Sequence, residues 1–154
     1  MSGPVLFGHV GHCVGDLERA RRFYVEALGF EVVNEISPPD SPSDRLLRIP
    51  APVGLTAVYL RKDGLVLELL HFARQGNPDG AERAVNEPGL THLSFSVDDV
   101  DAVAARAAEL GGEVLTDTHI GTAVFLRDPD GQLIELFPTS SRPWIYGEGG
   151  GAGP

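Results

Sequence analysis

A chain of 154 residues, 42% hydrophobic and 22% charged, describes one globular domain, or two small half-domains sharing a core, rather than a disordered polymer. Its formal net charge of −10 argues against nucleic acid or an anionic membrane surface as partner, because both demand a basic face. The one cysteine, Cys13, excludes an intrachain disulfide and a Cys-based zinc cluster, which fits a reducing compartment.

Residues 1–8 lack a basic region followed by a long apolar run, so no signal peptide is expected. No stretch approaches the length of a membrane span, and the expected location is the cytoplasm. Residues 7–14 are apolar-rich and predict a strand. Asp16 is placed to N-cap a helix over 17–28, with Ala20, Phe23, Tyr24, Ala27 and Leu28 on its apolar face and Gly29 to end it. A strand follows over 30–36, and S-P-P-D-S-P-S (37–43) reads as a loop. Strands are predicted over 45–49, 54–61 and 65–72, the last two joined by the turn Lys62-Asp63-Gly64. Residues 73–89 contain Gly76, Pro78, Gly80 and Pro88 and form a linker, with one helical turn over 81–85. The second half reads as a strand (90–97), a helix (100–110) and strands over 113–117, 122–127 and 132–137. Asp128 and Asp130 shape the turn between the last two. From 139 the chain is Gly- and Pro-rich and reads as a flexible tail, its first part tied down by Trp144 and Tyr146. A β-α-β-β-β unit used twice is an α+β pattern.

The two halves are copies. G-H-V-G-H-C-V-G-D (8–16) reads against T-H-L-S-F-S-V-D-D (91–99), and A-L-G-F-E-V-V (27–33) against E-L-G-G-E-V-L (109–115). D-G-L-V-L-E-L (63–69) reads against D-G-Q-L-I-E-L (130–136). Repetition at this scale means one supersecondary unit used twice. Each copy carries a His near its start, His9 or His92, and a Glu near its end, Glu68 or Glu135. Strand alternation puts His9 on one face with Gly11 and Cys13, and Val10, His12 and Val14 on the face under the helix. His92 likewise shares its face with Ser94 and Ser96.

Glu68 and Glu135 sit inside V-L-E-L-L and L-I-E-L-F, where a carboxylate is costly unless paired, solvated or bound to metal. Two imidazoles and two carboxylates suit one divalent ion, with two positions left for water or a chelating substrate. Nickel, cobalt, manganese, zinc and iron all accept such a set. Any one of the four alone reads more simply as a satisfied core His or an edge-strand ion pair; their repeat equivalence favours the metal. His12 and His71 fall on the wrong faces, and His119 lies in a loop before Gly121. Arg45, Arg48 and Arg61 read as surface charges or anion-binding side chains.

The segments 9–30, 67–70, 91–99 and 128–136 together resemble the vicinal oxygen chelate superfamily. That superfamily includes glyoxalase I, methylmalonyl-CoA epimerase, extradiol dioxygenases, and fosfomycin- and bleomycin-resistance proteins. The resemblance implies two βαβββ modules, 7–72 and 90–138, joined by the linker 73–89. They would form one domain, 1–138, shaped as a cupped, partly closed barrel around a metal, with the tail 139–154 outside it. It also implies His9, Glu68, His92 and Glu135 as metal ligands. Dioxygenases and fosfomycin enzymes look like two-His, one-Glu sites with no counterpart of Glu68, whereas glyoxalase I carries Glu there and the epimerase usually Gln. The second carboxylate of the epimerase has no counterpart in 46–49, and the glutathione-recognition segments of glyoxalase I are missing. The activity implied is that of a metal-dependent lyase or isomerase. A small molecule with adjacent oxygens would chelate the ion while Glu135 or Glu68 removes a proton next to the carbonyl. The alternatives are an iron-dependent oxygenase and a non-catalytic drug- or metabolite-binding protein. A homodimer is implied as well.

Overall fold

The computed structural model describes residues 3–78, 80 and 82–148. The chain divides into two compact units, 1–79 and 80–154. The first contains β1 (Val10–Cys13), α1 (Leu17–Glu26), β2 (Glu31–Ile36), α2 (Asp40–Leu47), β3 (Leu55–Lys62) and β4 (Leu65–Phe72). Its sheet runs β1-β4-β3-β2, with β1 parallel to β4 and the remaining pairs antiparallel. The second contains β5 (His92–Val97), α3 (Val100–Glu109), β6 (Glu113–Leu115), β7 (Val124–Arg127), β8 (Leu133–Pro138) and a final helical turn, α4 (Arg142–Ile145). Its sheet repeats the plan as β5-β8-β7-β6, with β5 parallel to β8. Each sheet is open and mixed, with one helix crossing from its first strand, and the class is α+β.

Local chemistry sets these elements in both copies. Asp16 Oδ1 accepts a hydrogen bond from Arg19 N at 3.0 Å, and Asp99 Oδ1 accepts one from Ala102 N at 2.9 Å, so each helix starts on an Asp cap. Gly29, at φ +71°, ends the first helix in a left-handed conformation that a β-carbon would disfavour. Asp63 (φ 48°) and Gly64 (φ 83°) close the β3–β4 hairpin.

In the first unit Phe23 and Tyr24 of α1 and Leu60, Leu67 and Leu69 of the sheet are all essentially excluded from water. Burying each such side chain stabilises the fold by roughly 1.5–3 kcal/mol. The second unit uses smaller helix residues: Ala104 and Ala107 of α3 are buried, as are Leu126, Ile134 and Leu136 of its sheet.

Two adjoining predictions differ: the loop expected over 37–43 gives way at Asp40, where α2 begins after its N-cap Pro39. Residues 45–49 are not a strand but belong to α2 and its C-terminal cap. The helix is kinked at Ser41, whose backbone is extended (φ −103°, ψ 126°). Ser43 Oγ donates to Pro39 O at 2.7 Å, Asp44 O accepts from both Arg48 N and Ile49 N, and Arg48 ends the segment at φ 58°. Asp40 anchors its start by accepting from Val53 N and Gly54 N at 2.8 and 3.1 Å. Leu46 is 83% exposed, while Leu47 and Ile49 pack on a cluster of Val53, Leu55 and Phe72. The stretch expected as a strand is a helix turn leaning on the end of the sheet.

Of the stretch read as linker and tail, Val85 and Asn86 form a turn, whereas Ala81 lies outside the described residues. Thr139–Ser141 and Arg142–Ile145 are helical turns, with Ser141 buried and Arg142 stacked over the Tyr146 ring at 4.7 Å. Residues 149–154 lie outside the described residues. Among those described, no helix is long and apolar enough to cross a membrane.

Candidate metal centre

In the first unit Glu68 lies mid-sheet, opposite Gly11 on the parallel neighbour and opposite Tyr59 on the antiparallel one. Because Leu67 and Leu69 point to the helix side, Glu68 must point to the other face. There His9 Nε2 stands 3.0 Å from Glu68 Oε2, with the Glu68 side chain only 13% exposed. The Tyr59 ring meets the His9 imidazole edge-on, centroids 5.6 Å apart. Its hydroxyl donates to Glu68. That bond, together with burial and the carboxylate's charge, pushes the Tyr59 pKa from 10.0 up to about 12, so the phenol remains a donor throughout the neutral range.

The second unit repeats the geometry. Glu135 lies opposite Ser94 on the parallel neighbour and Phe125 on the antiparallel one. His92 Nε2 stands 3.5 Å from Glu135 Oε2, whose side chain is 18% exposed. Phe125 meets the His92 ring edge-on at 5.4 Å. Ser94 Oγ donates to Glu135 Oε2 at 2.8 Å, and Thr91 Oγ1 lies 2.8 Å from His92 Nδ1. In the tautomer protonated at Nδ1, Thr91 accepts and the Nε2 lone pair faces Glu135, as a metal-binding imidazole requires.

The structure thus brings the four residues expected from the repeat into two His–Glu pairs. Among the described residues of either unit, no third His, Cys, Asp or Glu joins a pair. The donor set fits a divalent transition ion. Two ligands about 2.1 Å from a metal and at right angles are about 3.0 Å apart. The first pair stands at that separation and the second is slightly wider.

The other candidates go elsewhere. His12 packs edge-on against Tyr24 on the helix side, 6.0 Å between centroids. His71 pairs across the sheet with Thr56, on the face opposite Glu68. His119 Nε2 sits 3.2 Å from Asp101 Oδ1, and its Nδ1 accepts from Gly121 N. Cys13 Sγ lies 3.7 Å from Asn77 Oδ1. Arg61 pairs with Glu31, and Arg45 and Arg48 belong to α2 and its cap.

Sequence reasoning missed Tyr59 and Phe125 as the aromatic walls of the two pairs, and Thr91 as the neighbour of His92. A signal was present: T-A-V-Y-L-R (56–61) and T-A-V-F-L-R (122–127) form a further repeat, with Tyr59 and Phe125 at one position.

A duplicated four-stranded sheet with a helix after its first strand, each copy presenting His at the start of that edge strand against Glu on its neighbour, defines a class of duplicated α+β proteins. The chain belongs to the Glyoxalase/Bleomycin resistance protein/Dioxygenase superfamily, whose family model matches residues 6–136. It is 31% identical over 137 residues to an ethylmalonyl-CoA/methylmalonyl-CoA epimerase of Cereibacter sphaeroides, covering 83% of this chain and 93% of that one. To a probable lactoylglutathione lyase of Synechocystis it is 28% identical over 134 residues, 84% of this chain and 92% of the relative. In fold it matches a glyoxalase family protein of Bacillus cereus with a TM-score of 0.72 at 18% identity, covering 88% of this chain and 94% of that one. It also matches the glyoxalase I of Leishmania major with a TM-score of 0.65 at 24% identity, covering 90% of each chain.

Proposed function

We propose that the protein is a metal-dependent lyase or isomerase acting on a small molecule with adjacent oxygens; the relatives named as a probable lactoylglutathione lyase and an ethylmalonyl-CoA/methylmalonyl-CoA epimerase support the lyase or isomerase part. The observation that carries this reading is the repeat-equivalent His–Glu pair, with imidazole Nε2 set against carboxylate Oε2 in both units. His9, Glu68, His92 and Glu135 are the ligands of one divalent ion, whether nickel, cobalt, manganese, zinc or iron. Such an ion supplies Lewis acidity to the chelated carbonyl, which acidifies the neighbouring C–H. The proton goes to Glu68 or Glu135, the two carboxylates set in apolar strands at the site. The hydroxyls of Tyr59 and Ser94 hold those carboxylates in place. A cytoplasmic homodimer completes the reading.

The test is the metal content of protein purified without chelator, for wild type and Glu68→Gln. About one equivalent of nickel, cobalt, manganese or zinc, bound more weakly by the variant, supports the four-ligand site. It directs assays to 2-oxoaldehyde–thiol adducts and acyl-CoA epimers, read by exchange of the substrate C–H with solvent deuterium. Iron bound indifferently to Glu68 would favour an oxygenase. No metal, either on purification or on titration, would sink the enzyme and leave a binding protein.

A further inference from the structure

The repeat that places Tyr59 and Phe125 also places an arginine two residues later on each strand, Arg61 on β3 and Arg127 on β7. Each faces a repeat-equivalent glutamate across the strand pair: Arg61 faces Glu31 and Arg127 faces Glu113. The charged atoms lie 3.5 Å apart in the first pair and 3.9 Å in the second. The resemblance stops there. The Arg61 side chain is 58% exposed, whereas that of Arg127 is 28% exposed.

What shields Arg127 is the segment 82–90. Arg83 ties that segment into a closed turn by donating to the carbonyls of Glu87, Pro88 and Leu90 at 3.3, 2.6 and 3.4 Å. Gly89 suits the turn because its backbone stands at φ +135°, a conformation that side-chain-bearing residues rarely adopt. Between this segment and the sheet lies a cavity of about 320 Å³. Its apolar walls are Leu115, Phe125 and Leu133 from the sheet and Val85 and Leu90 from the segment. Phe125 is the same ring that packs on His92, so the cavity adjoins the second His–Glu pair.

The polar side chains lining it are nearly all committed. Arg83 is used by the turn. Thr118 Oγ1 donates to Leu115 O and accepts from Phe125 N, and Gln132 Nε2 donates to Thr91 O and Leu133 O. Thr91 Oγ1 is engaged with His92. Arg127 differs. Its Nη2 donates to the carboxylate of Glu82, an exposed residue at the start of the covering segment. Its Nε is buried and, among the described residues, makes no hydrogen bond, since Glu113 is too distant to accept one. A guanidinium edge with one arm on a displaceable carboxylate and the other unfilled is half of a bidentate carboxylate clamp.

We propose that this cavity binds a small molecule with a short apolar body and a terminal carboxylate, held by Arg127, and that Glu82 occupies the carboxylate position until the ligand displaces it. The volume suits a molecule at the small end of ordinary ligands. That the bound molecule is the substrate of the His–Glu site rests on the functional reading above. The binding itself does not, so it is measured on full-length protein kept metal-free with chelator.

The probes are hexanoate and its neutral isostere hexanamide, titrated while following the backbone amide signals of Phe125 and Leu133. Hexanoate is expected to bind about 10-fold more tightly than hexanamide. Glu82→Gln is expected to tighten hexanoate several-fold and leave hexanamide unchanged, because the internal competitor is neutralised. Arg127→Gln is expected to level the two probes. Glu82 is exposed, so its variant reports even if Arg127→Gln fails to fold. Equal binding of acid and amide in wild type and Glu82→Gln would overturn the proposal, as would an acid preference that survives in Arg127→Gln.

Discussion

Both units hold a glutamate in the middle of a four-stranded sheet, opposite an imidazole, but they steady it from opposite sides. In the first unit the hydroxyl comes from the antiparallel neighbour, Tyr59, and the parallel neighbour is the bare Gly11. In the second it comes from the parallel neighbour, Ser94, and the antiparallel neighbour is Phe125, which has no hydroxyl to offer. The wall against the imidazole is an aromatic ring in both cases. One requirement, a donor to a carboxylate embedded in an apolar strand, has been met twice by different residues. The two copies therefore share the His–Glu pair and the ring, while the hydroxyl comes from a different neighbouring strand in each.

The most severe way to probe that equivalence is to remove an imidazole. His9→Ala and His92→Ala are each expected to weaken metal binding by more than about 100-fold, measured by calorimetric titration. A large loss for one and none for the other would show that a single unit holds the ion. Next, Tyr59→Phe and Ser94→Ala should each lower metal affinity by about 10- to 100-fold, since each removes the donor orienting a ligand. The comparison sharpens if Gly11→Ser is added to Tyr59→Phe. A β-carbon at Gly11 would sit 3.7 Å from Glu68 Oε2 and 3.5 Å from Leu70 Cδ1, ordinary contacts. The double variant rebuilds the second unit's arrangement in the first and should recover most of the lost affinity in the same titration.

A smaller effect concerns the helix starts. Asp16→Ala and Asp99→Ala should each cost about 1 kcal/mol in urea unfolding, because each cap serves one backbone N–H. The finest test is spectroscopic. In metal-free protein the tyrosinate band assigned to Tyr59 should emerge only near pH 12, and it should vanish in Tyr59→Phe. The sign follows from linkage: a phenol raised from 10.0 to about 12 adds stability that is complete below pH 10 and is lost as pH rises through 12.

Much of this was written in the linear order. Two His and two Glu recur at matching places in two copies, and strand alternation alone assigns them to the face away from the helices. The Asp16 cap, Gly29 and the Asp63-Gly64 turn announce themselves because their chemistry is local: a side chain and the few residues beside it settle the backbone. Residues 45–49 misled for the complementary reason. Leu46, Leu47 and Ile49 are apolar enough for a strand, yet the Asp40 carboxylate, Ser43 and the left-handed Arg48 hold the stretch in a helix turn against Val53, Leu55 and Phe72.

By itself, then, the order of residues determined the duplication, the α+β class and the identity of each His–Glu pair, since periodicity and capping act over short distances. Only the tertiary structure decided that Tyr59 and Ser94 support Glu68 and Glu135, and that the 82–90 segment lines a cavity beside Arg127. Those contacts join residues 9 to 45 positions apart, and only the register of the sheet and the path of the linker bring them within reach.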